Sequence, residues 1–156
     1  MSTLSQARTG NRLLQCGVTL FLLGLLTGFA VTAFANPRMG LASHVEAVMN
    51  GLFLVALGLI WPRLVLSSRL LTVTFWLAAY GGFANWTATL LAAAWGAGRM
   101  MPIAAEGHFG SSGQEGVLRA LLISLSLAMV SVCVLILAGL RGDGSVRGTG
   151  NTDGAP

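Results

Sequence analysis

Four long apolar stretches, near residues 13–35, 41–61, 69–96 and 117–140, constrain this chain more than any motif in it. Each has roughly the twenty apolar residues that a bilayer core of about 30 Å requires, and in lipid every backbone N–H and C=O needs an internal partner. Helices meet that need locally. The sequence therefore predicts an all-α integral membrane protein, a four-helix transmembrane bundle over residues 13–140. With 54% hydrophobic and 9% charged residues in 156, and a mean hydropathy of +0.77, the chain is too apolar for a soluble domain. Residues 1–12 read as a polar segment whose first nine or so residues are loose, and the glycine-, serine- and aspartate-rich tail 141–156 reads as disordered.

The first stretch follows Arg8 and Arg12, as a signal peptide would, but at about 23 residues it exceeds a usual signal core and is kept as a span. Arg8, Arg12, Arg63, Arg69, Arg141 and Arg147 fall on one side of a four-span chain, against Arg38, Arg99 and Arg119 on the other. That asymmetry predicts both termini in the cytoplasm, with the protein in a bacterial inner membrane. Nucleic acid is not an expected partner, because no basic stripe is interleaved with aromatics.

Within the spans, Gly24 and Gly28 have the spacing that lets helices approach closely. Asn36-Pro37-Arg38 breaks the chain between the first two spans, and Trp61-Pro62-Arg63 ends the second with a tryptophan expected at the membrane interface. The third span is the polar one, with Thr72, Thr74, Tyr80, Asn85, Thr87 and Thr89. Its threonines are expected to bond their own backbone, whereas the Asn85 carboxamide must find a partner, either a neighbouring helix or a site. The connection 96–116 is long enough for a lid or binding loop, and its His108 is read as solvated. Cys16 and Cys133 read as small buried side chains. No Cys-x-x-Cys-His, phosphate loop, dinucleotide fingerprint or nucleophile elbow is present.

The chemistry-bearing stretch is Ser43-His-Val-Glu-Ala-Val-Met-Asn-Gly51, which puts a histidine, a carboxylate and a carboxamide at the head of an apolar helix. Polar side chains there are costly and usually functional. His44, Gly51 and Gly58 fall within about 40° of one another, giving a thin face that a flat cofactor or a second helix could approach. Asn50 lies about 120° around the same helix and about 9 Å deeper, so it serves a different part of the site or a neighbouring subunit's site.

His44 followed by Asn50-Gly51, and Gly82-Phe83-Ala84-Asn85 on the third span, resemble the paired motifs of the styrene oxide isomerases, small four-span membrane enzymes that bind haem b. The resemblance covers about a third of the chain. It implies that His44 is the axial ligand of a ferric haem b, with Gly51 and Gly58 on the cofactor face, and that Asn50 and Asn85 are catalytic residues on the substrate side. It further implies a homotrimer with haem between subunits, and a small hydrophobic epoxide as substrate. The iron would act as a Lewis acid, and a 1,2-hydride shift would give an aldehyde. The chain departs from the pattern at Gly81 and Thr89, where the family has an acidic residue and a tyrosine. Two other readings remain open: a non-enzymatic membrane haem b protein acting as carrier, sensor or electron-transfer subunit, and an assembly protein with no cofactor.

Overall fold

The computed structural model describes residues 3–141, and every regular element among them is helical. The elements are α1 (Thr3–Phe29), α2 (Pro37–Ile60), α3 (Ser68–Trp95), the single turn α4 (Pro102–Ala105) and α5 (Ser112–Arg141). Leu4–Phe29, Pro37–Arg63 and Ser112–Arg141 are long and apolar enough to cross a membrane. Helix α3 has the length, at 28 residues, but its threonines and Asn85 dilute its apolar character, so three helices rather than the expected four meet both conditions.

Helix α1 starts at Thr3, so residues 3–9 are helix and not the loose arm expected of them. Gln6 explains the extension, since its Nε2 donates to the carbonyls of Trp61 at 2.9 Å and Leu64 at 3.0 Å in the turn after α2. Trp61 itself is fully buried under α1. The tail from 142 onward lies outside the described residues.

The pair α1–α2 is the most intimate contact in the molecule. Gly10 faces Gly58 and Gly17 faces Gly51, two antiparallel glycine rows with a spacing of seven residues. A Cβ placed on Gly51 would stand 2.8 Å from the Gly17 carbonyl oxygen, and one on Gly58 would stand 2.8 Å from that of Gly10. Absence of side chains therefore sets the distance between the helices. Helix α3 packs on the other flank of α2, and α5 packs on α3.

At one end of the helices, Val65 N–H donates to the Gly139 carbonyl, which brings the end of α5 beside the turn that Gln6 holds and gathers Arg8, Arg63, Arg69 and Arg141 toward one end. At the other end the junction is Asn36. Its Oδ1 caps α2 by accepting from Met39 N–H at 3.0 Å, its Nδ2 donates to the carbonyls of Ala104 and Ala105, and its backbone N–H donates to Ala93 at the end of α3. Glu115 holds the same region from α5, accepting from the backbone N–H groups of Gly98, Arg99 and Gly110. The 96–111 connection is thus pinned to the helix ends by side chains on two sides. His108 is exposed, with Nδ1 2.8 Å from the Ala105 carbonyl.

The glycine contacts set a stability test. Gly51→Val would force a branched side chain against the α1 backbone, which cannot yield as a side chain can, and should cost about 1–3 kcal/mol or more. Thermal unfolding in detergent should show a melting temperature several degrees below that of Gly113→Val, where an added Cβ meets nothing within 4 Å. Equal melting of the two variants would refute the packing account.

Candidate functional site

His44 sits two turns into α2 and turns toward α1. Its Nδ1 lies 2.7 Å from the Gly24 carbonyl oxygen, and a Cβ on Gly28 would come within 2.8 Å of the same ring nitrogen. The Gly24/Gly28 spacing is therefore what admits the imidazole against α1. A carbonyl can only accept, so Nδ1 carries a hydrogen, which in the neutral ring leaves the lone pair on Nε2. No group among the described residues bonds Nε2. The ring lines an open groove of about 320 Å³ with Leu25, Gly28, Phe29, Val31 and Leu41.

Gly51 and Gly58 share the His44 face, as the helical spacing implies, but the occupant of that face is α1 of the same chain. The cofactor role expected of the two glycines is corrected accordingly. Their missing side chains admit a helix, and what remains open for a flat group is the groove beside His44.

A second cluster lies on the opposite flank of α2, toward α3. Glu46 Oε2 accepts from Asn85 Nδ2 at 2.7 Å and from Asn50 Nδ2 at 3.4 Å, and Asn50 Nδ2 also donates to the Glu46 backbone carbonyl at 2.8 Å. Gly82 allows this meeting, since its Cα faces Asn50, Leu20 and Leu54. The structure thus brings Asn50 and Asn85 together and keeps His44 apart from them on α1's side. The i,i+4 spacing of Glu46 and Asn50 puts both on one helix face. Glu46 stood in the sequence beside His44 without an assigned role; the signal that marks it is a carboxylate inside an apolar span, which needs a partner wherever it is buried.

The neighbouring polar groups are structural. Trp86 Nε1 donates to Thr27 Oγ1 at 3.1 Å, tying α3 to α1. The hydroxyls of Thr72, Thr74 and Thr89 return to their own helix backbone, as expected. Tyr80 is 43% exposed and bridges to Ser124 on α5. Gly81 faces Met129 on α5, away from Asn50. Both cysteines are free thiols.

A sequence profile described as styrene oxide isomerase matches residues 9–141, nearly the whole described chain. The chain belongs to the styrene oxide isomerase family. It is similar to hydroxylaminobenzene mutase HabB of Ectopseudomonas oleovorans, with 57% identity over 93% of this chain and 89% of that protein. It is also similar to hydroxylaminobenzene mutase HabA of the same organism, with 46% identity over 80% of this chain and 93% of that protein. No solved structure matches it. The family and these relatives place the chain among intramolecular isomerases.

The Glu46 cluster predicts a measurable coupling. Asn85→Leu should strip the carboxylate of its shorter bond and lower stability by about 1.5–3 kcal/mol, the range for hydrogen bonds to charged groups. In a double-mutant cycle with Glu46→Leu, the double variant should lose less than the sum of the singles by at least about 1 kcal/mol. Strict additivity in denaturation of the purified protein would mean the pair does not interact.

Proposed function

We propose that this protein is a membrane-embedded isomerase that moves the oxygen of an aryl hydroxylamine from nitrogen to the aromatic ring, giving an aminophenol, and that it does so with haem b bound at His44. The observation that carries the reading is the 57% identity to a hydroxylaminobenzene mutase along 93% of the chain. The rearrangement breaks the N–O bond, forms a C–O bond on the ring and moves the displaced ring proton to nitrogen. Atoms and electrons balance, so no oxidant or reductant is consumed.

Such a reaction requires stabilisation of negative charge on the departing oxygen, and exclusion of bulk water from the electron-poor aryl fragment. Haem b, when bound, would supply a ferric iron as the Lewis acid for that oxygen. The residues present fit the group: a macrocycle that brings its own four nitrogen ligands asks one neutral imidazole nitrogen of the protein, and His44 presents Nε2 while Gly24 fixes its ring orientation. Among the described residues no cluster of three or more His, Cys, Asp or Glu could hold a bare metal ion instead. Asn50 and Asn85 orient the polar end of the substrate, and the leucine, valine and phenylalanine walls of α1 and α2 keep the aryl group dry.

Because His44 and the two carboxamides occupy different flanks of α2, the reading includes a homo-oligomer, a trimer by the family resemblance, in which one subunit's His44 and a neighbour's Asn50 act at one site. All four long helices would cross the bacterial inner membrane, with both termini in the cytoplasm by the arginine asymmetry. The second reading is isomerisation of an aryl epoxide to an aldehyde. It is favoured by the family description and by the His44, Asn50-Gly51 and Asn85 motifs, and it makes the same demand on a departing oxygen.

Two experiments test the proposal. Purified protein should convert hydroxylaminobenzene to aminophenol faster than it converts styrene oxide to phenylacetaldehyde, as read by chromatography; turnover of the epoxide alone would select the second reading, and turnover of neither would reject both. His44→Ala should lose the Soret band and all turnover, whereas Asn50→Ala should keep the band and lose turnover. Mixed oligomers of those two variants should regain activity that neither has alone, and an unaltered Soret band in His44→Ala would remove His44 as the ligand.

A further inference from the structure

The hydrogen-bond directions around Glu46 carry an inference about substrate recognition, one that rests on the reading of this site as an aryl hydroxylamine isomerase. An ionised carboxylate can only accept hydrogen bonds. Asn85 turns its NH2 group to Glu46 Oε2 at 2.7 Å, and Asn50 turns its NH2 group to the same oxygen at 3.4 Å and to the Glu46 carbonyl at 2.8 Å. The orientation of each amide is thereby dictated by chemistry, because a flipped amide would set oxygen against oxygen. Both carboxamides have their donors turned to Glu46, and neither Oδ1 accepts a bond from any described residue.

We infer that Glu46 is a positioning residue that sets the polarity of the substrate site: it holds Asn50 and Asn85 so that they offer acceptors, and so selects substrates whose reacting end donates hydrogen bonds. An aryl hydroxylamine carries N–H and O–H donors on the two atoms whose bond must break. An aryl epoxide carries no donor for either Oδ1 and finds only the second N–H of the Asn85 amide. A site built to bond an O–H or N–H discriminates against an analogue that lacks it, since acceptors covered by that analogue are left unpaired. The discrimination belongs to the glutamate through Asn85, whose amide is free to turn and offer its NH2 group without it, whereas Asn50 stays tied to the backbone carbonyl of residue 46.

Glu46→Leu tests this, because both amides donate to the same oxygen, Oε2, which a glutamine carbonyl could replace and a leucine cannot. Leucine offers no acceptor, so the Asn85 amide loses the group that orients it. The ratio of kcat/KM for hydroxylaminobenzene over styrene oxide should fall at least tenfold, with the Soret band unchanged; an unchanged ratio would overturn the inference. Binding separates this outcome from failure of the functional reading. Benzyl alcohol and anisole are isomers, of which only the first donates a hydrogen bond. The wild-type protein should bind benzyl alcohol at least tenfold more tightly by titration of tryptophan fluorescence, whether or not it turns over either substrate. Glu46→Leu should narrow the gap, and equal affinity of the wild type for the two isomers would refute the assigned polarity. Infrared difference spectra of wild type against Glu46→Leu should lose a carboxylate band. Loss of a protonated carboxyl band instead would overturn the inference.

Discussion

The backbone contact between α1 and α2 is the constraint on which the rest depends. Gly10 with Gly58, and Gly17 with Gly51, leave no side chain between the two helices, so their separation is fixed by main-chain atoms that have no alternative rotamers. In a bilayer, where lipid tails are as apolar as leucine, such close contact is what distinguishes one helix neighbour from another. The same row continues to Gly24 and Gly28, where α1 meets the imidazole of His44. The surface that binds two helices thus also sets the tautomer of the histidine. With one flank of α2 closed by α1, its polar residues on the other flank have only α3 to meet.

That second meeting carries the electrostatic burden of the fold. A carboxylate within an apolar helix pair is costly, and the cost is offset only if its lone pairs are bonded. Two amide groups on neighbouring helices do this with their donors, and the glycine at 82 leaves them room. The arrangement resembles the interhelical polar contacts that hold membrane helices together, but it leaves the acceptor side of both amides without a partner among the described residues.

Much of the helical frame was legible from hydropathy and from Asn36-Pro37, because length and apolarity are properties of a segment alone. Helix α1 began earlier than its hydropathy suggested, since Gln6 draws its start from a turn some 55 positions away in sequence, and no local pattern reports that contact. The thin face of His44, Gly51 and Gly58 was visible at helical spacing, but one helix cannot say what covers it, and the occupant proved to be α1. The role of Glu46 is hidden from the sequence for the same reason. Its importance lies in the partner Asn85, 39 residues on, and a helical wheel of α2 does not contain it.

The departures of this chain from the family pattern can be understood in the same geometry. Position 81, where the family has an acidic residue, faces Met129 on α5, and a side chain there would have to displace its sulfur, 2.5 Å from where a Cβ would stand. Position 89, where the family has a tyrosine, carries a threonine whose hydroxyl returns to the carbonyls of Asn85 and Trp86. Neither residue offers α3 a hydrogen-bonding group directed toward Asn50. The carboxylate at the cluster sits on α2, one helical turn before Asn50, so it and that amide move as one rigid element. On the proposed reading, a change of reacting group from an acceptor-only oxygen to an N–H and O–H pair asks for acceptors in place of donors, which a carboxylate behind two amides can set without altering the cavity walls.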